Sequence, residues 1–272
     1  MTEKCVIKIG GSVLKDGSSL PRVMDIISHF RSPILVVSAF GGITDALYRF
    51  YEYDESRMDK LRDLLLMHLG ILWKYNIEAH PEISIQDSSI LDQDAYVSYG
   101  EKMSAFTLAR FLTGNGIPAA PIYTDEAGLI VEEISKERTV DLEGSRAFFE
   151  NIARVETSGK VPVVTGFFGI DRYGKTRILG RNSSDYSAVA VAAILGIREV
   201  ILIKDVPGIY MNLEDRTSIV NRIDYETALR IVDRGSKVVH RAALRLAMKM
   251  GMNLLITSPE NLESGTVIGD LF

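Results

Sequence analysis

Short unbroken apolar runs alternate along this chain with stretches in which apolar residues recur every three to four positions. These are the signatures of buried strands and of helices. Strands are predicted at CVIKIG (5–10), PILVVSAF (33–40), APIYT (120–124), GLIV (128–131), VPVVTGF (161–167), EVILIK (199–204) and NLLIT (253–257). Helical spacing marks 19–30, a segment running through Leu47, then 56–75, 94–112, 186–195, 225–232 and 241–250. The helix at 56–75 presents one broad apolar face, and Gly114 and Gly116 stop the helix at 94–112. Strand followed by helix, repeated, predicts an α/β fold with a mainly parallel sheet covered on both faces. No repeat, low-complexity tract or linker interrupts the pattern. The chain reads as a single domain, 1–272, with a soft lobe division at Gly180.

Composition narrows the class. With 272 residues, 46% hydrophobic and 25% charged, the chain can bury a substantial core. A net charge of −5 disfavours general binding to nucleic acid or to an anionic membrane. The single cysteine, Cys5, sits in an apolar strand and cannot form an internal disulfide. That suits a buried structural thiol in a reducing compartment. Lys4 and Lys8 interrupt the only apolar stretch near the N-terminus, so no signal peptide is predicted. The uncharged run from Tyr186 to Ile197 is too short to span a bilayer, and a cytoplasmic location is expected.

The candidate chemistry lies where strands end, because ligands of open α/β sheets bind there. After the first strand come Lys8, Gly10, Gly11 and Ser12. Paired glycines let backbone N–H groups approach a phosphate, and the lysine adds charge. A tight turn with a solvated lysine would look the same. The spacing matches neither Gly-x-x-x-x-Gly-Lys-Ser/Thr nor Gly-x-Gly-x-x-Gly. The second ending is SAFGGITD, in which Ser38 and Thr44 offer hydroxyls and Thr44 could also cap a helix. In the third, GIDRYGK reads as a hairpin that delivers LGRNSSD to the mouth of the next helix. Ser183 or Ser184 alone could cap that helix, so Arg181 and Asp185 call for another explanation. An arginine fork suits a substrate carboxylate. An aspartate one turn on can instead orient a lysine or a metal beside a second anion. The plain alternative is an i, i+4 surface salt bridge, worth a few tenths of a kcal/mol. At the fourth ending, IKDVPGIY, Asp205 stands at a strand tip and Tyr210 could pack on a base, although a simple Pro-Gly turn explains the pattern equally well. No His/Cys/Glu cluster suggests zinc, so no protein metal site is predicted. His29, His68 and His80 read as surface or structural residues, and His240 as a helix-start residue.

Taken together, the segments resemble the aspartate kinase branch of the amino acid kinase family. KIGGSV stands where that branch shows Lys-Phe-Gly-Gly-Thr-Ser, and SYGEKMSA (98–105) matches its Ser-x-Gly-Glu-x-x-Ser-Ala. TGFFGIDRYGKTRILGRNSSD parallels its Thr-Gly-Phe strand, hairpin and Leu-Gly-Arg-Gly-Gly-Ser-Asp. DVPGIY and GSKVVH (235–240) complete the set, in order, from residue 4 to about residue 268.

The resemblance implies a three-layer αβα sandwich, the amino acid kinase fold, using ATP and Mg2+ and assembling as a homodimer or higher homo-oligomer. It implies an acceptor-binding lobe at 1–180 and an ATP-binding lobe at 181–272. Lys8, Gly10 and Gly11 would contact ATP phosphates, Lys237 would add a second cation, and Asp185 would order these lysines and the magnesium-bound phosphates. Asp205 and Tyr210 would lie along the nucleotide. Arg181 would take the acceptor's α-carboxylate and Glu101 its ammonium group, with Ser38, Thr44 and Ser184 bordering the acceptor. Asn182 and Ser183 replace two glycines, which should narrow or reshape the acceptor pocket. Lys204 replaces a small polar residue, MNLEDR lacks the usual Asp-Pro-Arg, and Arg241 replaces a proline. The chain stops at SGTVIGDLF, where the family's catalytic portion ends, so feedback through appended regulatory modules is expected to be missing.

The leading expectation is an ATP-dependent kinase acting on the side-chain carboxylate of aspartate. The alternatives are a diverged kinase for a mevalonate-type hydroxy acid or its phosphate, and a nucleotide-binding protein without turnover.

Overall fold

The computed structural model describes residues 4–53, 56–80, 83, 85, 92–210, 218–260, 262 and 265–269; MNLEDR (211–216) lies outside them. The main sheet has eight strands. In spatial order they are β10 (Arg222–Ile223), β12 (Thr266–Ile268), β11 (Asn253–Thr257), β9 (Glu199–Ile203), β1 (Cys5–Ile9), β2 (Pro33–Val37), β6 (Val161–Thr165) and β3 (Ala119–Ile122). Every neighbouring pair is parallel except β11 with β12. Strands before Gly180 make one half of the sheet and those after it the other, and the halves meet where β1 pairs with β9.

Both faces are covered. The short α1 (Gly11–Leu14), α2 (Leu20–Ser28), α3 (Ile43–Tyr53), α4 (Arg57–Lys74) and α5 (Gln93–Gly114) bury apolar side chains against Ile7, Ile9, Leu35 and Val37. On the other face the short α6 (Thr124–Ala127), α7 (Arg146–Thr157), α8 (Ser184–Ile194), α9 (Tyr225–Asp233) and α10 (Arg241–Lys249) pack on Val6, Ile34, Val36 and Leu202. This is a three-layer αβα sandwich, and burial on both faces explains why its central strands read as continuous apolar runs. Helix α8 is buried from Ser184 to Ala192, which accounts for its uncharged sequence.

Side chains on a strand alternate between faces. Cys5, Ile7 and Ile9 join the first core and Val6 joins the second. Lys8 shares the second face with Val6 and so points toward α8 at the C-terminal end of β1.

Several elements went unread in the sequence. The hairpin of β4 (Val131–Ile134) and β5 (Glu137–Val140) falls where only a strand at 128–131 is predicted. Its turn places Ser135 and Lys136 at φ 52° and 70°, and neither residue announces a turn of positive φ as Asn-Gly would. Gly128, at φ 87°, ends α6 instead of opening a strand. Helix α7 was also missed, although it buries Phe148 and Ile152 with Val155 half-buried beside them, a readable i, i+4, i+7 stripe. The predicted strand at 161–167 stops at Thr165 because Phe167 adopts φ 76°. The hairpin of β7 (Phe168–Ile170) and β8 (Thr176–Ile178) forms where GIDRYGK is expected to turn.

Cys5 is buried in the first core. His68 is buried against the Phe40 ring, with Nδ1 2.7 Å from Thr107 Oγ1, and burial holds its pKa down at about 3. His29 and His80 are exposed. Among the described residues no helix is long and apolar enough to cross a membrane.

Candidate active site

Four strands of the main sheet run out at one edge, into Gly10–Gly11 after β1, Ser38–Gly42 after β2, Gly166–Phe167 after β6 and Lys204–Val206 after β9. The loops enclose a cleft of about 1000 Å³. Every site residue singled out from the sequence borders it: Lys8, Gly10, Gly11, Ser38, Thr44, Glu101, Arg181, Ser184, Asp185, Asp205, Tyr210 and Lys237. Thr44 lies inside α3, whose first residue is Ile43, so it is not the cap. A Cβ on Gly11 would drive into the carbonyl oxygen of Ala39, whereas at Gly10 it would meet only ordinary contacts. Gly11 therefore serves the packing of two strand-end loops, whereas Gly10 borders the cleft without a close contact that would exclude a side chain.

At the seam between the sheet halves stands Asp185, the second residue of α8, only 3% exposed. Lys8 Nζ lies 3.1 Å from its Oδ1, and Lys204 Nζ lies 2.7 and 2.6 Å from its two oxygens. The backbone N–H of His240 donates to Oδ2 at 3.2 Å. Burial by itself would raise the Asp185 pKa, but Lys8 and Lys204 hold it well below the usual carboxylate range. Burial together with the neighbouring charge of Lys8 brings Lys204 down to about 8, against the pull of Asp185. Burial also depresses His240, which stands at the N-cap of α10.

The expected lysine pair needs correcting here. Asp185 orders Lys8 and Lys204, while Lys237 is exposed in the loop between α9 and α10. The sequence marked Lys204 only as an unusual residue; its signal was a charge at the end of a strand adjacent to β1.

The expectations for the LGRNSSD loop also change. Arg181 does not pair with Asp185; its guanidinium pairs with Asp45 of α3 and lies 5.3 Å from the centre of the Tyr48 ring. Arg181, Asp45, Tyr48, Arg49 and Glu52 border a second cavity of about 440 Å³. Ser183 occupies the N-cap position of α8 but makes no side-chain cap bond, and its hydroxyl turns 3.5 Å toward the Phe167 carbonyl. Asn182 stands at φ 61°, so the loop keeps the left-handed backbone that a glycine would supply. Asparagine tolerates that conformation better than most side chains.

Glu101 and Ser104, one turn apart on α5, hold the loop after β2. Glu101 Oε1 accepts from the Ala39 N–H at 3.1 Å, and Ser104 Oγ accepts from the Phe40 N–H at 3.1 Å. Gly100 lets α3 cross closely, since a Cβ there would lie 3.0–3.3 Å from Ala39, Leu47 and Ile43. Lys102 pairs with Asp125 and Glu126 at 2.9 and 3.0 Å, tying α5 to α6. These contacts account for Gly100, Glu101, Lys102 and Ser104 of SYGEKMSA. Glu101 Oε2 is buried with no hydrogen-bond partner among the described residues. Burial pushes the Glu101 pKa up to about 8, opposed by the Ala39 N–H and by Lys8.

The raised pKa has a sign. Relative to an unfolded value of 4.5, Glu101 contributes stability that is full below that value and lost as pH rises through 8. Glu101→Gln is therefore expected to be more stable than the parent at pH 8, on the order of a few kcal/mol, and little changed at pH 4. Urea unfolding at the two pH values checks this.

Among the described residues no three His, Cys, Asp or Glu side chains group as a metal site. Asp185 is already occupied by two ammonium groups and an N–H. Such a cleft suits a cation delivered on phosphate oxygens better than one held by the protein.

The sequence profile of the amino acid kinase family matches residues 3–258. The chain is 25% identical over 285 aligned positions to the aspartokinase of Chlamydia trachomatis serovar D, covering 98% of this chain and 64% of that protein. It is 28% identical over 276 positions to the aspartokinase of Chlamydia pneumoniae, covering 96% and 62%. The chain thus spans less than two thirds of the length of these relatives. Among solved structures, E. coli aspartokinase III in complex with aspartate and ADP superposes with a TM-score of 0.80 at 24% identity, covering 98% of this chain and 65% of that one. UMP kinase from Bacillus anthracis gives 0.60 at 12% identity, covering 99% and 97%. At such identities these structures establish the fold.

Proposed function

The chain belongs to the amino acid kinase family, and from that premise we propose that it is an ATP-dependent kinase that phosphorylates a small carboxylate-bearing metabolite, best fitted by the side-chain carboxylate of aspartate. The observation that carries the reading is the Lys8–Asp185 pair, buried at the seam of the sheet beside Gly10 and Gly11. The names of its relatives support aspartate as acceptor.

Phosphoryl transfer asks mainly for fixed cations and in-line positioning. An acceptor carboxylate oxygen attacks the γ-phosphorus, the bond to the bridging oxygen breaks, and ADP leaves with its electron pair. Lys8 and Lys237 would neutralise charge gathering on the phosphate oxygens, and Asp185 would keep the buried ammonium in place. Mg2+, held chiefly by those oxygens, would supply further neutralisation. Asp205 and Tyr210 would lie along the nucleotide, while Ser38, Thr44 and Ser184 would border the acceptor. The unpartnered oxygen of Glu101 would receive the acceptor's ammonium group, and Arg181 would take its α-carboxylate in exchange for Asp45.

Aspartate and ATP with hydroxylamine are expected to yield aspartyl hydroxamate. No acyl phosphate from aspartate, with ATP consumed on a hydroxy acid, would overturn the acceptor. What favours that second reading is the buried, unpartnered Oε2 of Glu101: burial pushes the carboxyl pKa up to about 8, and in its neutral form it could meet a hydroxyl.

Arg181→Lys is expected to raise the KM for the acceptor at least tenfold, about 1.4 kcal/mol, with little change for ATP. Asp45→Asn, which releases the guanidinium, should lower the acceptor KM. Initial rates with each substrate varied check both. An increase confined to the ATP KM would move Arg181 to the nucleotide.

A further inference from the structure

We propose that Lys204 is a third phosphate-contacting cation of this cleft, which leaves the Asp185 carboxylate for the oligophosphate when a nucleotide binds; this rests on the kinase reading above. Lys204 follows the last residue of β9, the strand paired with β1, so Lys204 and Lys8 approach the same carboxylate from adjacent strands. Its side chain is only 14% exposed yet borders the cleft. One carboxylate cannot balance two buried ammonium groups. The other charges facing them do not make up the difference. Asp205 is exposed, Lys237 adds positive charge from the loop before α10, burial depresses His240 toward the neutral form, and burial pushes the Glu101 pKa up to about 8. The floor is therefore short of negative charge, and burial together with the charge of Lys8 brings the Lys204 pKa down to about 8.

An anion delivered to this floor supplies what is missing. Oligophosphate oxygens would take up the Lys204 ammonium group, and Asp185 would keep Lys8 and the His240 N–H. The cationic form of Lys204 would then be the form that binds nucleotide, so binding draws a proton from solvent wherever the free lysine is neutral.

The test is calorimetric titration with ADP at pH 7 and pH 9, in buffers of different ionisation enthalpy. Affinity of the parent protein is expected to fall about tenfold between the two pH values, with uptake of close to one proton at pH 9. Lys204→Met should bind at least tenfold more weakly at pH 7, with no proton uptake. Lys204→Arg, charged throughout, should bind tightly at both pH values. Glu101 also titrates near pH 8, so Glu101→Gln separates the two groups: uptake that survives it belongs to Lys204, and uptake lost with it overturns the inference. If Lys204→Met binds ADP within twofold of the parent and shows the same pH profile, Lys204 merely positions Asp185 and the inference fails. If the parent protein binds no ADP at all, the kinase reading itself fails, a result distinguishable from the first.

Discussion

A Lys8→Met protein is expected to fold and to transfer phosphoryl groups on the order of a hundred- to a thousandfold more slowly than the parent. Methionine keeps the length and the apolar stem that β1 buries, and removes only the ammonium group. Asp185 is not orphaned by the change, because Lys204 keeps both of its contacts and the His240 N–H keeps its own. The loss should therefore fall on turnover and leave the fold intact. Steady-state kcat beside a thermal unfolding curve separates the two. A folded variant with near-normal kcat would place the transferring phosphoryl group elsewhere than beside β1.

Asp185→Ala has the opposite profile, striking stability as well as activity. It leaves Lys8 and Lys204 buried without their shared counter-ion, and removing one partner of a buried pair costs about 3–5 kcal/mol. The penalty carries a pH signature. At pH 7 both lysines would have to stay charged or shed a proton, whereas at pH 9.5 Lys204, with a pKa of about 8, is already largely neutral. The gap between variant and parent should narrow accordingly. Asp185 itself, depressed in the folded protein, contributes stability that is present above its unfolded pKa of 3.8 and lost only as pH falls through its folded value. Urea unfolding of both proteins at pH 7 and 9.5 gives the comparison. A loss below 1 kcal/mol at pH 7 would mean that water reaches the cluster and screens it.

These two variants differ because the site spans the seam of the sheet. Lys8 belongs to the first half of the chain, Asp185 and Lys204 to the second, and the parallel pairing of β1 with β9 brings the halves together. A charge on β1 can be removed while the second half keeps its internal bond. The carboxylate cannot, since it joins the two.

Much of the frame was legible in the chain alone. β1, β2, β6 and β9 are buried on both faces, and burial of that kind demands continuous runs of Val, Ile and Leu that stand out without any partner being known. The caps at Asp92 and Asp224, which accept from backbone N–H groups three residues on, went unread although such caps depend only on neighbours in sequence. The hairpin at Ser135–Lys136 was not readable, because neither residue signals the positive φ that its turn adopts.

Chain pattern alone pointed to Lys8, Gly10, Gly11, Ser38 and Asp205 as cleft residues, since strand ends and the turns after them carry these residues wherever the strands lie; Glu101 in α5 and Lys237 before α10 were expected only from the family resemblance. Which charges meet depends on the folded arrangement of the strands and helices. Arg181 and Asp185 are four residues apart, yet Arg181 pairs with Asp45 in α3 and Asp185 reaches back to Lys8 in β1. Lys204 displaces Lys237 as the second lysine on that carboxylate because β9, and not the loop before α10, lies beside β1. Ion pairs depend on separation in space, and strand order, a property of the whole sheet, sets that separation. The spacing of charges along the chain has no bearing on it once a loop intervenes.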